Sequence, residues 1–406
     1  MMMRRIIFIV CFSVFLGLKS NSQSSSVGAI CLPTYQNNSQ SGNWIPGNSR
    51  STSDLKIVRV NIHFNLTSSG TGNFRANDDG LGNASYTGYD YARRLIEMCN
   101  WFSFNNVQMN IPPGNTTAVL DKNIRWVLDA VIFRNNDTYY TYSSGNAAAD
   151  HNLHGVDGQN VMNIYLRMSS SVTATGNASN ISPNSNVKYT ANAGFWEGYK
   201  ALIDAGGSIT DPWWHPYVDH LNHELFHCHT LSHTIRYNGL GGGCPTNCSN
   251  LENGSPPDPT CEGDNDGCAD TPSAWEIAQL NGCTVHPNCA WGDGSDMWCT
   301  NNVMDYTGDN ALTPCQINRI HSALEGGLRP YLACDAVLNN LTICDIGYPK
   351  LSYFGKDVSI GCTSTAANLT AKEKVDVYTS NFVELTNFEV ATDAAFEVYH
   401  LPVCGF

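Results

Sequence analysis

The chain has 406 residues, a formal net charge of −14 and only 14% charged side chains. With 22 Lys and Arg against 36 Asp and Glu, it lacks the clustered cations that phosphate backbones demand, which excludes nucleic acid as a partner. Hydrophobic residues make up 42%, enough to fill the core of one large domain or two smaller ones.

At the N-terminus, Arg4 and Arg5 precede the apolar run IIFIVCFSVFLGL, and small polar residues follow in KSNSQ. This order predicts an export signal over residues 1–22, with an apolar run too short to span a bilayer. No later stretch is apolar enough to cross a membrane. The cysteines agree with export. Of 16 Cys, eight lie between Cys244 and Cys315, a density that in an exported chain means disulfides. Removing Cys11 with the signal leaves an odd number, so at least one thiol is expected to stay unpaired. Residues 23–54 are rich in Ser, Asn and Gly and read as a pro-segment or linker.

In KIVRVNIHF, Val58, Val60, Ile62 and Phe64 alternate with Arg59, Asn61 and His63, the period of a strand. YDYARRLIEMCNWF places Tyr91, Leu95, Met98 and Phe102 at helical spacing. IRWVLDAVIF and NVMNIYLRM are further strands. Alternation of this kind predicts a mixed α/β domain. YTANAGFW, residues 189–196, reads as an ordinary surface strand. From Gly239 to about Asn302 the chain loses periodicity and gains Gly, Pro, Asp and Cys, the texture of a functional or stapled loop. TPCQINRIHSALEGGLRPYL then reads as a helix, with Thr313 as N-cap and Pro314 in its first turn. Residues 336–406 are β-branched and aromatic and form a separate small β module.

The stretch HELFHCHTLSH carries the chemistry. His223 and His227 lie four apart and share a helix face, with Glu224 beside the first. This is the H-E-x-x-H pattern of zinc peptidases, in which the carboxylate takes a proton from water as it attacks a carbonyl. If the helix ends near Thr230 and the chain turns back, His233 supplies a third nitrogen and a fourth position stays open. A structural zinc would ordinarily use a fourth protein ligand and have no use for Glu224. His229 points to another helix face, and Cys228 is expected to be buried.

About seventy residues on, NNVMDYTGDNALTPCQINRI contains MDY, which looks like the methionine turn of the metzincins. With Leu231 two residues before His233, and Asp270, Thr271 and Pro272 in GCADTP, the chain resembles the pappalysins, and more closely their bacterial cytophagalysin-like members. The resemblance covers roughly residues 55–335. It implies an α+β catalytic domain whose upper half is α/β in type, with a twisted, mostly parallel sheet and a long zinc helix. The lower half would be irregular and disulfide-stapled, holding the Met-turn and a C-terminal helix. It further implies His223, His227 and His233 as Zn2+ ligands, Glu224 as general base and acid, and Met304 beneath the metal. Tyr306 would donate to the oxyanion of the intermediate. In the metzincins an extended segment before the zinc helix is an edge that pairs with substrate backbone, so the resemblance implies that role, instead of an ordinary surface strand, for residues 189–196. Two residues depart from the pattern. Thr230 occupies the motif's Gly position, where a positive φ suits a β-branched residue badly. Ala269 separates Cys268 from Asp270.

Three further expectations follow. Asp264 and Asp266 in EGDNDG are either calcium ligands or a solvated acidic loop. Cys31 could close the open zinc position and silence the enzyme until it is cut away. The β module would bind a surface or glycan, or serve the secretion route. Together these describe a secreted zinc endopeptidase acting on proteins or peptides. The competing reading is a secreted binding or adhesion protein on a metzincin scaffold that no longer cuts, favoured by Thr230 and the appended module.

Overall fold

The computed structural model describes residues 55–104, 106–109, 119–142, 144–169, 176–178, 189–191, 200, 204–206, 215–231, 268, 270–271, 301–304, 310–362, 367–370, 373–386 and 388–401. The expected signal, the linker and Cys31 lie outside them. Within them the chain is mixed α/β with parallel sheets. No helix there is long and apolar enough to cross a membrane.

Strand β1 (Lys56–Leu66) is central. It pairs in parallel with β2 (Ile124–Asn135) and with β4 (Met162–Leu166). A short pair, β3 (Thr141–Tyr142) with β5 (Met168–Ser169), stands apart. β7 (Tyr189–Ala191) continues the main sheet in parallel, and β6 (Gly176–Ala178) closes it antiparallel, for the order β2-β1-β4-β7-β6. Tyr189–Ala191 is therefore paired on both sides, and the edge strand is β6. Residues 192–196 of the same stretch lie outside the described residues.

The alternation in β1 predicts one apolar and one polar face, and the structure buries both. Val58, Val60, Ile62 and Phe64 join Tyr91, Leu95 and Met98 of α1 (Gly88–Phe104) in the main core. The polar face lies beneath α2 (Asp137–Tyr140), α3 (Ser144–His154) and the turn after it. Asn61 Nδ2 donates to the Val156 carbonyl at 2.9 Å, and Asn65 Nδ2 donates to Asp150 Oδ2 at 2.8 Å. His63 stacks on Tyr165 at 4.5 Å and has Nε2 2.7 Å from Asn163 Oδ1. Burial, reinforced by nearby Arg134, pushes the His63 pKa down to about 3, so the ring stays neutral. A central strand of a parallel sheet is covered on both sides, and its polar residues must then find partners inside.

The segment after Cys334 departs from a simple β texture. β8 (Leu341–Ile343), β9 (Ser352–Ile360), β11 (Lys374–Leu385) and β13 (Ala395–His400) pair in parallel in the order β13-β11-β9-β8. β10 (Ala367–Leu369) pairs in parallel with β12 (Phe388–Val390). The chain thus winds through two sheets alternately, as a short β-solenoid does. Phe354, Tyr378 and Tyr399 fall on successive turns and stack at 4.9 Å each, the spacing of adjacent strands. Gly361 has φ +96°, and a Cβ there would meet the Thr386 carbonyl oxygen of the next turn, so only glycine fits this corner. Cys344 and Cys362 form a disulfide.

The module has its own core, centred on Val358, Ile360, Val375 and Val377. It also covers the outer edge of β2. Leu351 N–H donates to the Asp129 carbonyl at 2.8 Å, Val131 N–H to the Pro349 carbonyl at 3.0 Å, and Lys350 pairs with Asp129 at 2.7 Å. An edge strand covered in this way cannot recruit another chain.

Candidate metal centre

The histidine helix is α4 (His215–Cys228). Leu221, Leu225 and Phe226 sink into the main core, where Phe226 meets Trp126 of β2 edge-on at 5.6 Å. Asn222 ties the helix to α1: its Oδ1 accepts from Ser103 Oγ at 3.1 Å, and its Nδ2 donates to the Cys99 carbonyl at 3.3 Å. The helix can therefore neither slide nor roll easily.

On the face this leaves, His223 and His227 come together with ring centroids 4.6 Å apart and planes at 89°. His223 Nδ1 donates to the Val303 carbonyl at 2.6 Å, and His227 Nδ1 donates to the Leu231 carbonyl at 2.7 Å. A carbonyl can only accept, so each Nδ1 holds the proton and each Nε2 carries the lone pair that a metal requires. Burial also lowers the His227 pKa, which favours the neutral, ligating form. The donor set fits zinc: two imidazoles, oriented from behind by main-chain oxygens, with half-buried Glu224 next to His223 in sequence. The side chain of His220 lies outside the described residues, as does His233, the expected third ligand. His229 is fully buried, with Nδ1 donating to the Leu225 carbonyl at 2.6 Å, and burial pushes its pKa down to about 4. Cys228 is buried as well.

The helix ends where the sequence suggests, and it does so through Thr230. Thr230 N–H donates to the His227 carbonyl at 3.0 Å, and Leu231 N–H reaches back to the Phe226 carbonyl at 3.2 Å. These are the two bonds of a Schellman cap, with Leu231 and Phe226 both in the apolar core beneath it. The cap needs a left-handed residue, and Thr230 supplies it at φ +74°. The conformation is strained for a β-branched side chain, and the buried Thr230 hydroxyl has no hydrogen bond among the described residues. Arg319 Nη2 donates to the Thr230 carbonyl at 3.3 Å and helps hold the turn. Thr230→Gly should therefore stabilise the protein by about 1 kcal/mol, the left-handed strain relieved less the entropy that glycine loses. Chemical denaturation of the full chain checks this, and a destabilised variant would mean the hydroxyl has a structural use.

The segment that meets His223 through the Val303 carbonyl is held by distant residues. Met304 is fully buried in the main core, and its N–H donates to Asn302 Oδ1 at 2.9 Å. Asn302 Nδ2 donates to Gln316 Oε1 at 2.8 Å, in the first turn of α5 (Pro314–Glu325). Thr313 and Gln316 form a capping box there. The helix ends at Glu325, before Gly326, and does not run on through LRPYL; a 3-10 turn over Arg329–Tyr331 and a short α6 (Ala333–Ala336) follow. Two glycines and Pro330 stop it.

Asp270 has a role that spacing along the chain did not reveal. Its Oδ1 accepts from Thr313 Oγ1 at 2.7 Å and its Oδ2 from the Cys315 N–H at 3.0 Å. A carboxylate at a helix N-terminus both satisfies orphan donors and answers the helix dipole. The Asp-Thr-Pro loop is thus pinned to the helix that braces the Met304 segment. Tyr306, Asp264 and Asp266 lie outside the described residues, and nothing in the geometry bears on them. No model of a known protein family and no curated protein matches the chain.

Proposed function

We propose that the chain is a secreted zinc-dependent endopeptidase of the metzincin type, similar to pappalysins, acting on proteins or peptides. The observation that carries this reading is the pair of histidines on α4, each with Nδ1 engaged by a main-chain oxygen. One of those oxygens belongs to Val303, next to Met304, so the helix and the methionine segment are joined through a candidate ligand. Core His229 makes the same kind of main-chain bond, so the pair is set apart by two such rings converging at 4.6 Å with Glu224 next to the first in sequence.

Zinc, when bound, polarises a carbonyl and acidifies water. The chain supplies the rest. Glu224 accepts the proton of the attacking water and returns it to the leaving amine. His223 and His227 hold fixed tautomers, so no proton need move on them before a ligand is bound. The main core and the tie to α1 keep α4 rigid, which preserves these positions through a reaction cycle. Thr230, the departure that favours a non-cutting scaffold, adopts the left-handed turn despite its strain, so its side chain does not prevent the cap that ends the helix. The Cys344–Cys362 disulfide is consistent with export. The calcium site at Asp264 and Asp266, the Cys31 latency switch and the oxyanion role of Tyr306 belong to the same proposal.

The test is His227→Ala in the full secreted chain, with zinc measured by elemental analysis and cleavage by peptide digestion. Loss of both is expected, because removing one imidazole leaves too few ligands. Zinc retained at full stoichiometry would place the metal elsewhere.

A further inference from the structure

Away from the histidine helix, Cys268, Asp270 and Cys315 converge at the start of α5. One sulfur from each cysteine and a carboxylate oxygen of Asp270 all lie within 4.8 Å of one another. Both cysteines are buried, Cys268 completely and Cys315 to 1% exposure. The proposed peptidase chemistry uses none of these groups.

A metal and a disulfide are the two things such a cluster can hold, and the local bonding separates them. Both oxygens of Asp270 already accept short hydrogen bonds, from Thr313 Oγ1 and the Cys315 N–H. The carboxylate is thus occupied as a helix cap. The two sulfurs, within 4.8 Å of each other, are close enough to join. They are not bonded to each other in the structure, but closing the gap to the roughly 2.05 Å of a disulfide takes a shift of less than about 3 Å. The chain already carries the Cys344–Cys362 disulfide, so it matures where an oxidant is at hand.

We infer that Cys268 and Cys315 form a disulfide in the mature protein. The two thiols give up two protons and two electrons as the S–S bond forms. A disulfide donor of the export compartment, small-molecule or protein, takes them up as its own S–S bond breaks into two thiols. The crosslink joins the Asp-Thr-Pro loop to the first turn of α5, one residue before Gln316. Gln316 holds Asn302, and the Val303 carbonyl next to it accepts from His223. The staple therefore braces the segment that meets His223 from outside the candidate metal centre, and Asp270 pre-aligns the two partners by fixing the Cys315 backbone.

Disulfide mapping of the full chain tests this without reference to zinc or cleavage. Thiols are blocked at harvest, the protein is digested unreduced, and the peptides are read by mass spectrometry. A linked pair carrying Cys268 and Cys315, lost on reduction, is the expected result. Recovery of both cysteines as blocked thiols would overturn the inference, and so would finding either linked to a different cysteine. So would a metal ion released in step with alkylation of these two thiols. As a second reading, Cys268→Ser should leave Cys315 reactive in the denatured chain and lower Tm by about 5 °C. An unchanged Tm together with an unreactive Cys315 would contradict the pairing.

Discussion

Glu224→Ala is expected to lower kcat/KM for peptide hydrolysis by at least about 10³-fold while leaving the bound zinc in place. Glu224 follows His223 in α4, is half-buried, and is not one of the two imidazoles proposed to hold the metal. Truncating it removes the group proposed to take the proton from water. The anchors of α4 are Leu221, Leu225, Phe226 and Asn222, and all remain in the variant. Steady-state kinetics on a peptide that the parent protein cuts, with zinc measured on the same sample, reads both quantities. Cleavage that persists would refute the general-base role. Cleavage and zinc lost together would make Glu224 part of the metal site's structure instead.

Met304→Ala should destabilise the fold by about 2–5 kcal/mol, whereas Met304→Leu should cost less than about 1.5 kcal/mol. Met304 is fully buried in the core that also holds Leu225, Phe226 and Leu231 of the histidine helix and its cap. Truncation leaves a cavity there, and leucine nearly conserves the volume. The contrast between the two variants separates packing from any chemistry of the sulfur. Urea denaturation of both checks it. An alanine variant as stable as the parent would show that Met304 is not packed as described.

Much of the frame was legible because its signal is local. The alternation in Lys56–Leu66 and the helical spacing from Tyr91 to Met98 each lie within one element, and both elements form where that spacing places them. Thr313 and Pro314 mark the start of α5 for the same reason. Features set by distant partners were not legible. Asn61 and His63 sit on a polar stripe that alternation alone would leave facing solvent, and only the crossover through α3 covers them. Asp270 caps a helix more than forty residues away, which no local spacing announces. The solenoid had a faint signature: Phe354, Tyr378 and Tyr399 recur at comparable spacing. The spacings differ, 24 residues from Phe354 to Tyr378 and 21 from Tyr378 to Tyr399, and two intervals are too few to declare a repeat. At the candidate site, the spacing of His223, Glu224 and His227 was plain. The main-chain oxygens that set the tautomers were not, because Val303 is eighty residues from His223.

The most direct test of the central claim is made on the purified chain freed of residues upstream of about 50. Bound zinc is counted, and a mixed peptide library is digested with and without a chelator. One zinc per chain, with internal cleavage that the chelator abolishes and added zinc restores, is the result the account predicts. A chain that binds no zinc, or one that cuts equally well with the chelator present, would contradict it.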